Sequence, residues 1–177
     1  MSELQQLFQH LKQPEYVHVL LNPMPVYMTG AGILALGVAL LMRSRQAQVV
    51  ALIVIFIGCV SAWPVIHYGQ RGYDRVYSMS NDDAQKWLDL HMKRAETFQY
   101  LFYATALLSL DVLVAMWKWQ KAVLPLARAT LLAAVVSLTV AGWISHAGGQ
   151  VRHCEFRTGP PPNSVEHEEE HEHEHSH

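Results

Sequence analysis

The chain has 177 residues, 51% of them apolar and 16% charged, with a formal net charge of −2. That length suits one domain, and no nucleic-acid partner is expected. The average conceals segregation: no Asp, Glu, Lys or Arg lies between Glu15 and Arg43, Arg45 and Arg71, Glu96 and Asp111, or Arg128 and Arg152.

Residues 1–15 come first. Leu4, Leu7, Phe8 and Leu11 recur at helical spacing, which predicts a short interfacial helix. Neither a basic n-region nor a cleavage-site pattern precedes the first apolar run, so no cleavable signal peptide is expected. The membrane domain, 16–153, holds four apolar segments at about Pro25–Met42, Ala47–Tyr68, Thr97–Trp117 and Val123–His146. Each has at least about 18 residues, or roughly 27 Å of helix, enough to cross a bilayer. Four such runs leave too little polar surface for a soluble bundle. The predicted fold is an all-α, integral membrane four-helix bundle running up-down-up-down, with lipid as its first partner. Residues 154–177 form a linker, "GPPPNS", and the tail "VEHEEEHEHEHSH". That tail cannot bury a core and is expected to be disordered. Its His167, His171, His173, His175 and His177 could chelate Zn²⁺, Cu²⁺ or Ni²⁺ loosely.

The two tight connections carry Arg43, Arg45, Lys118 and Lys121 and no acid, whereas the long connecting loop expected from Tyr68 to Glu96 carries five basic and five acidic residues. The positive-inside rule then puts the tight turns in the cytoplasm and both termini in the periplasm of a bacterial inner membrane. Trp117 and Trp119 suit one interface, Trp63 and Trp143 the other. Cys59 is mid-span and Cys154 lies beyond the last span, so they are poorly placed to pair.

On this topology His18, His67, His91 and His146 all come to the outer face, at depths that agree to within about 10 Å. His91 shares an apolar stripe with Leu88, Ala95, Phe98 and Phe102 and is expected to point inward. On the fourth span Gly142, His146 and Gly149 share a face, and Gly148 adjoins them, a shallow groove for a flat cofactor. For any single histidine an interfacial hydrogen bond is the ordinary explanation; four converging ones point to metal, because ionisable groups in membranes are costly and imidazole is a common ligand. Haem b, one or two, fits best. Arg71, Arg75 and Arg152 are near enough to pair with propionates, and there is no CxxCH for covalent attachment. The depths favour pairing His91 with His146, then His18 with His67.

"HVLLNPMP" from His18 and "SHAGGQVRH" around His146 resemble a family of small four-helix bacterial membrane proteins classed as a domain of unknown function. Members open with a His-Pro-x-x-x-His-x-Pro element and close with His-x-Gly-Gly; His18, Pro25, His146, Gly148 and Gly149 match, while Val19 and Pro23 depart from the pattern. Relatives are sometimes joined to c-type cytochrome domains. The resemblance therefore implies respiratory electron transfer, and the expected function is a b-type haem module in a respiratory or photosynthetic complex, with other membrane subunits and a cytochrome c or quinol as partners.

Two alternatives stand beside it. One is a transition-metal handling protein using the tail, with Met24, Met28, Met79 and Met92 near the same face. The other is a structural subunit with interfacial histidines. No Ser-His-Asp set, P-loop or dinucleotide fingerprint is legible, so the chain is not expected to be an enzyme alone. Asp111 and Arg128 lie within spans three and four at matching depth; an interhelical ion pair is the favoured reading, a proton path or quinone contact the other.

Overall fold

A computed structural model describes residues 3–162, and every regular element among them is helical. After α1 (Glu3–His10) come α2 (Pro14–Leu21), α3 (Pro23–Leu41), α4 (Arg45–Val60), α5 (Ala62–Ser78), α6 (Asp82–Lys118) and α7 (Gln120–Arg152), with a 3-10 turn over Cys154–Phe156. They form four rods, Pro14–Leu41, Arg45–Ser78, Asp82–Lys118 and Gln120–Arg152, each long and apolar enough to cross a membrane. The outer surface agrees: Leu34 is 73% exposed, Leu107 61% and Leu132 69%.

The rods outrun the apolar segments. The polar stretch from Tyr68 to Glu96 is not a long loop: α5 continues to Ser78, the chain turns through Met79–Asn81, and α6 begins at Asp82. Asn81 caps α6 by accepting from the Ala84 amide at 2.9 Å, and Asp82 and Asp83 complement the positive end of the helix dipole.

At the other end, α3 stops in a Schellman motif. The Ser44 amide donates to Ala39 O at 3.1 Å and the Arg43 amide to Leu40 O at 3.2 Å, with Arg43 left-handed at φ 54°. Ser44 then caps α4 through Ala47 N.

α3 packs on α4, α6 on α7, α4 on α6 and α3 on α7, closing a ring around one core. Its buried members include Leu36 of α3, Leu52 and Ile55 of α4, Val112 of α6 and Ala134 of α7. Small residues set the spacing. A Cβ on Gly32 would lie 2.5 Å from Ile55 Cγ1, and one on Gly58 2.8 Å from Thr29 N. α3 and α4 therefore approach closer than any side chain would allow, as membrane helices do. Thr105 and Ser137 exchange a hydrogen bond at 2.9 Å across α6 and α7.

Both rods of the first hairpin are broken by proline. Pro25 cannot bond Leu21 O, and Leu21 ends α2; Pro64 cannot bond Val60 O, and Val60 ends α4. Beyond the breaks α2 packs chiefly on α5, held by the 2.6 Å ion pair between Glu15 and Arg75 and by Gly72, whose missing Cβ admits the Glu15 backbone. α5 also meets α6, where Gln70 donates to Glu96 and Tyr73 to Asp89, and the space left between α2–α5 and the ends of α6 and α7 is the cavity described next.

Candidate cofactor site

The cavity measures about 630 Å³, within the range of cofactor pockets. Its walls are mostly apolar, and two imidazoles approach each other edge-on within it. His18 comes from α2, His91 from α6, with ring centroids 6.2 Å apart and planes at 76°.

Each ring is fixed in the same way. His18 Nδ1 lies 2.8 Å from Val65 O on α5, and His91 Nδ1 lies 2.9 Å from Ile144 O on α7. A carbonyl only accepts, so Nδ1 carries the proton in both rings, and each Nε2 is left with its lone pair. Neither Nε2 makes a hydrogen bond among the described residues.

One helical turn beyond each accepting carbonyl stands a glycine. A Cβ on Gly69 would meet His18 Nδ1 at 3.0 Å, and one on Gly148 would meet His91 Nδ1 and Cε1 at 3.0 Å. The pattern is thus repeated: the first rod of each hairpin supplies a histidine, and the second supplies its carbonyl and the glycine that admits the ring.

The mouth is polar. Arg152 and His153 line it, and His153 bonds Glu155 Oε1 at 2.9 Å. Its own backbone N–H first, and His153 second, hold the Glu155 carboxyl below the usual carboxylate range. Arg94 lies over the Trp143 ring, 3.8 Å from its centre, and donates to Trp143 O, pinning α6 to α7 beside the site.

Of the four histidines expected to converge, only His18 and His91 do. His67 is exposed and stacks on Trp63 at 5.7 Å, and His146 is exposed on the outer side of α7. The rings brought close together are those of His18 and His91, and not, as expected, those of His91 with His146 and of His18 with His67. Gly142, expected beside the groove, faces open space, whereas Gly148 and Gly149 line the cavity. Arg71 and Arg75 are exposed, and Arg75 is engaged by Glu15; Arg152 alone of the three expected arginines lines the cavity.

Sequence reasoning passed over Gly69, His153 and the two carbonyls. The signal that finds the glycines is the stripe of small residues. On α7, Ala127, Thr130, Ala134, Ser137 and Ala141 are buried in line, and the next steps along that line are Ile144 and Gly148, two residues to either side of His146. Among the described residues no three or more His, Cys, Asp or Glu side chains are gathered as ligands for one metal ion. The tail histidines, 167, 171, 173, 175 and 177, lie outside the described residues.

No protein-family model matches the chain, and neither curated proteins nor solved structures yield a match.

Proposed function

We propose that the protein is a membrane b-type cytochrome module whose single haem is held between Nε2 of His18 and Nε2 of His91. The observation that carries this is the spacing of the two rings. Imidazoles bound to one metal through Nε2, at about 2.0 Å per bond and with Nε2 about 1.1 Å from each ring centre, have centroids about 6 Å apart. His18 and His91 stand at 6.2 Å. Their Nδ1–H bonds to backbone carbonyls fix the tautomer a ligand needs and raise its basicity. Two histidines from different helices can supply the two axial ligands of a haem, whereas a structural zinc site takes four protein ligands.

Such a haem would carry one electron at a time. The chain's own part is to exclude water with the apolar walls, to hold both rings from opposite hairpins, and to offer Arg152 at the mouth to a propionate. The remaining proposal is the setting: an up-down-up-down bundle in a bacterial inner membrane, with the turns bearing Arg43, Arg45, Lys118 and Lys121 in the cytoplasm and the cavity toward the periplasm. There it would serve a respiratory or photosynthetic complex, exchanging electrons with a cytochrome c or quinol.

The test is the visible spectrum of protein purified in mild detergent, oxidised and then reduced with dithionite. A Soret band that shifts on reduction, with a resolved alpha band, is expected of the native chain and of His67→Ala and His146→Ala. His18→Ala and His91→Ala should lose it. A colourless native protein made with haem available overturns the reading.

A second reading is favoured by one observation: Met79 and Met92 line the same cavity. Two imidazoles with two thioethers form a donor set for copper, as a transition-metal handling protein would have. Metal analysis of the colourless protein would then show copper lost with Met92→Ala.

A further inference from the structure

Within the apolar zone the surface carries two opposite charges. Asp111 lies seven residues before the end of α6 and Arg128 eight residues after the start of α7. Both are therefore about 10–12 Å in from the turn that joins the helices. Trp117 and Trp119, 81% and 62% exposed, mark the membrane interface at that turn, so the two charges sit well inside it. The ion pair expected between them from the sequence does not form. Among the described residues the ion pairs are Glu15–Arg75 and His153–Glu155, and Asp111 and Arg128 are each exposed instead.

An exposed carboxylate at that depth faces hydrocarbon. Arginine can snorkel toward the headgroups on its long stem, but aspartate is too short to cross about 10 Å. A group of opposite charge at Asp111's own level would offset that cost.

We infer that the outer faces of α6 and α7 form a homodimer interface in which Asp111 of each protomer pairs with Arg128 of the partner subunit. The matched depths favour a second copy. A two-fold axis along the membrane normal preserves depth, so opposite charges at equal depth on one chain become two reciprocal pairs between two chains. The flanking surface, Leu107, Leu110 and Val114 on α6 with Leu132 and Val136 on α7, is apolar and exposed, as an intramembrane contact requires. The inference needs the four rods to cross a bilayer but not the presence of haem.

The test uses full-length protein, fluorescently labelled and reconstituted into phosphatidylcholine vesicles at low protein-to-lipid ratio, with photobleaching steps counted. The native chain should bleach in two steps. Asp111→Arg and Arg128→Asp, each prepared alone, should weaken dimerisation at least about tenfold, because each places like charges in contact twice. Mixed with one another they should pair again, since every contact is then between opposite charges. A native chain that bleaches in one step overturns the inference. So do single variants that remain dimeric, and a mixture that stays monomeric, which would mean that the two charges act within one chain. Should a reversal variant fail to fold, Asp111→Asn must still lower the dimer fraction in the same vesicles, and unchanged dimerisation there also counts against the interface.

Discussion

The cavity-facing imidazoles depend on absent atoms as much as on present ones. His18 and His91 reach their carbonyls because Gly69 and Gly148 have no side chain, and a methyl at either position would stand 3.0 Å from the ring. Gly148→Ala should move the His91 ring off Ile144 O, with the loss of about 1 kcal/mol for that hydrogen bond and roughly fivefold weaker haem binding. Gly69→Ala should do the same to His18. Gly142→Ala is the control: nothing lies within 4 Å of its added Cβ, so haem titration should be unchanged and the helix slightly more stable. His91 was legible from the sequence because α6 has a polar face at that level, with Lys93 outward and Leu88 inward. His146 was not, because α7 is apolar on both sides. When lipid and core are equally apolar, hydrophobicity gives the depth of a residue but not its rotation about the helix. The rotation is written in Ala134, Ser137, Ala141 and Gly148.

Helix ends and helix contacts respond to a different set of residues. Arg43 occupies the left-handed position of the Schellman motif, where a Cβ costs about 1–2 kcal/mol. Arg43→Gly should therefore raise the thermal midpoint, read by circular dichroism in detergent. Gly58→Ala should lower it: its methyl would lie 2.8 Å from Thr29 N, which is backbone and cannot swing away, and overpacking of that kind costs about 1–3 kcal/mol. The four apolar segments were readable by length alone. Their helices were longer than read because charge density marks where a rod leaves the bilayer, not where it stops being helical. Asn81, a sound N-cap just before Asp82 and Asp83, was the local sign that the stretch from Tyr68 to Glu96 turns once rather than wandering.

For the molecule as a whole, a ligand held between α2 and α6 ties the two hairpins together at the end where they pack least. Haem in hundredfold excess over its dissociation constant should stabilise the fold by about 2.7 kcal/mol. That appears as a higher thermal midpoint in native protein and none in His18→Ala, measured by scanning each with and without haem. Truncation after Gly159 removes the His/Glu tail and leaves every cavity residue in place, so the haem spectrum should survive it.

The repeated construction of the site, one ring from each hairpin, bears on how the protein comes into being. A ribosome that has released only residues 14–78 has produced His18, its carbonyl and its glycine, but no opposing ring. The facing pair comes into existence only when the second hairpin has entered the bilayer and docked on the first. On the proposed function, cofactor capture would be a checkpoint on completed insertion, and a chain stalled halfway would offer one imidazole and no enclosed place to use it.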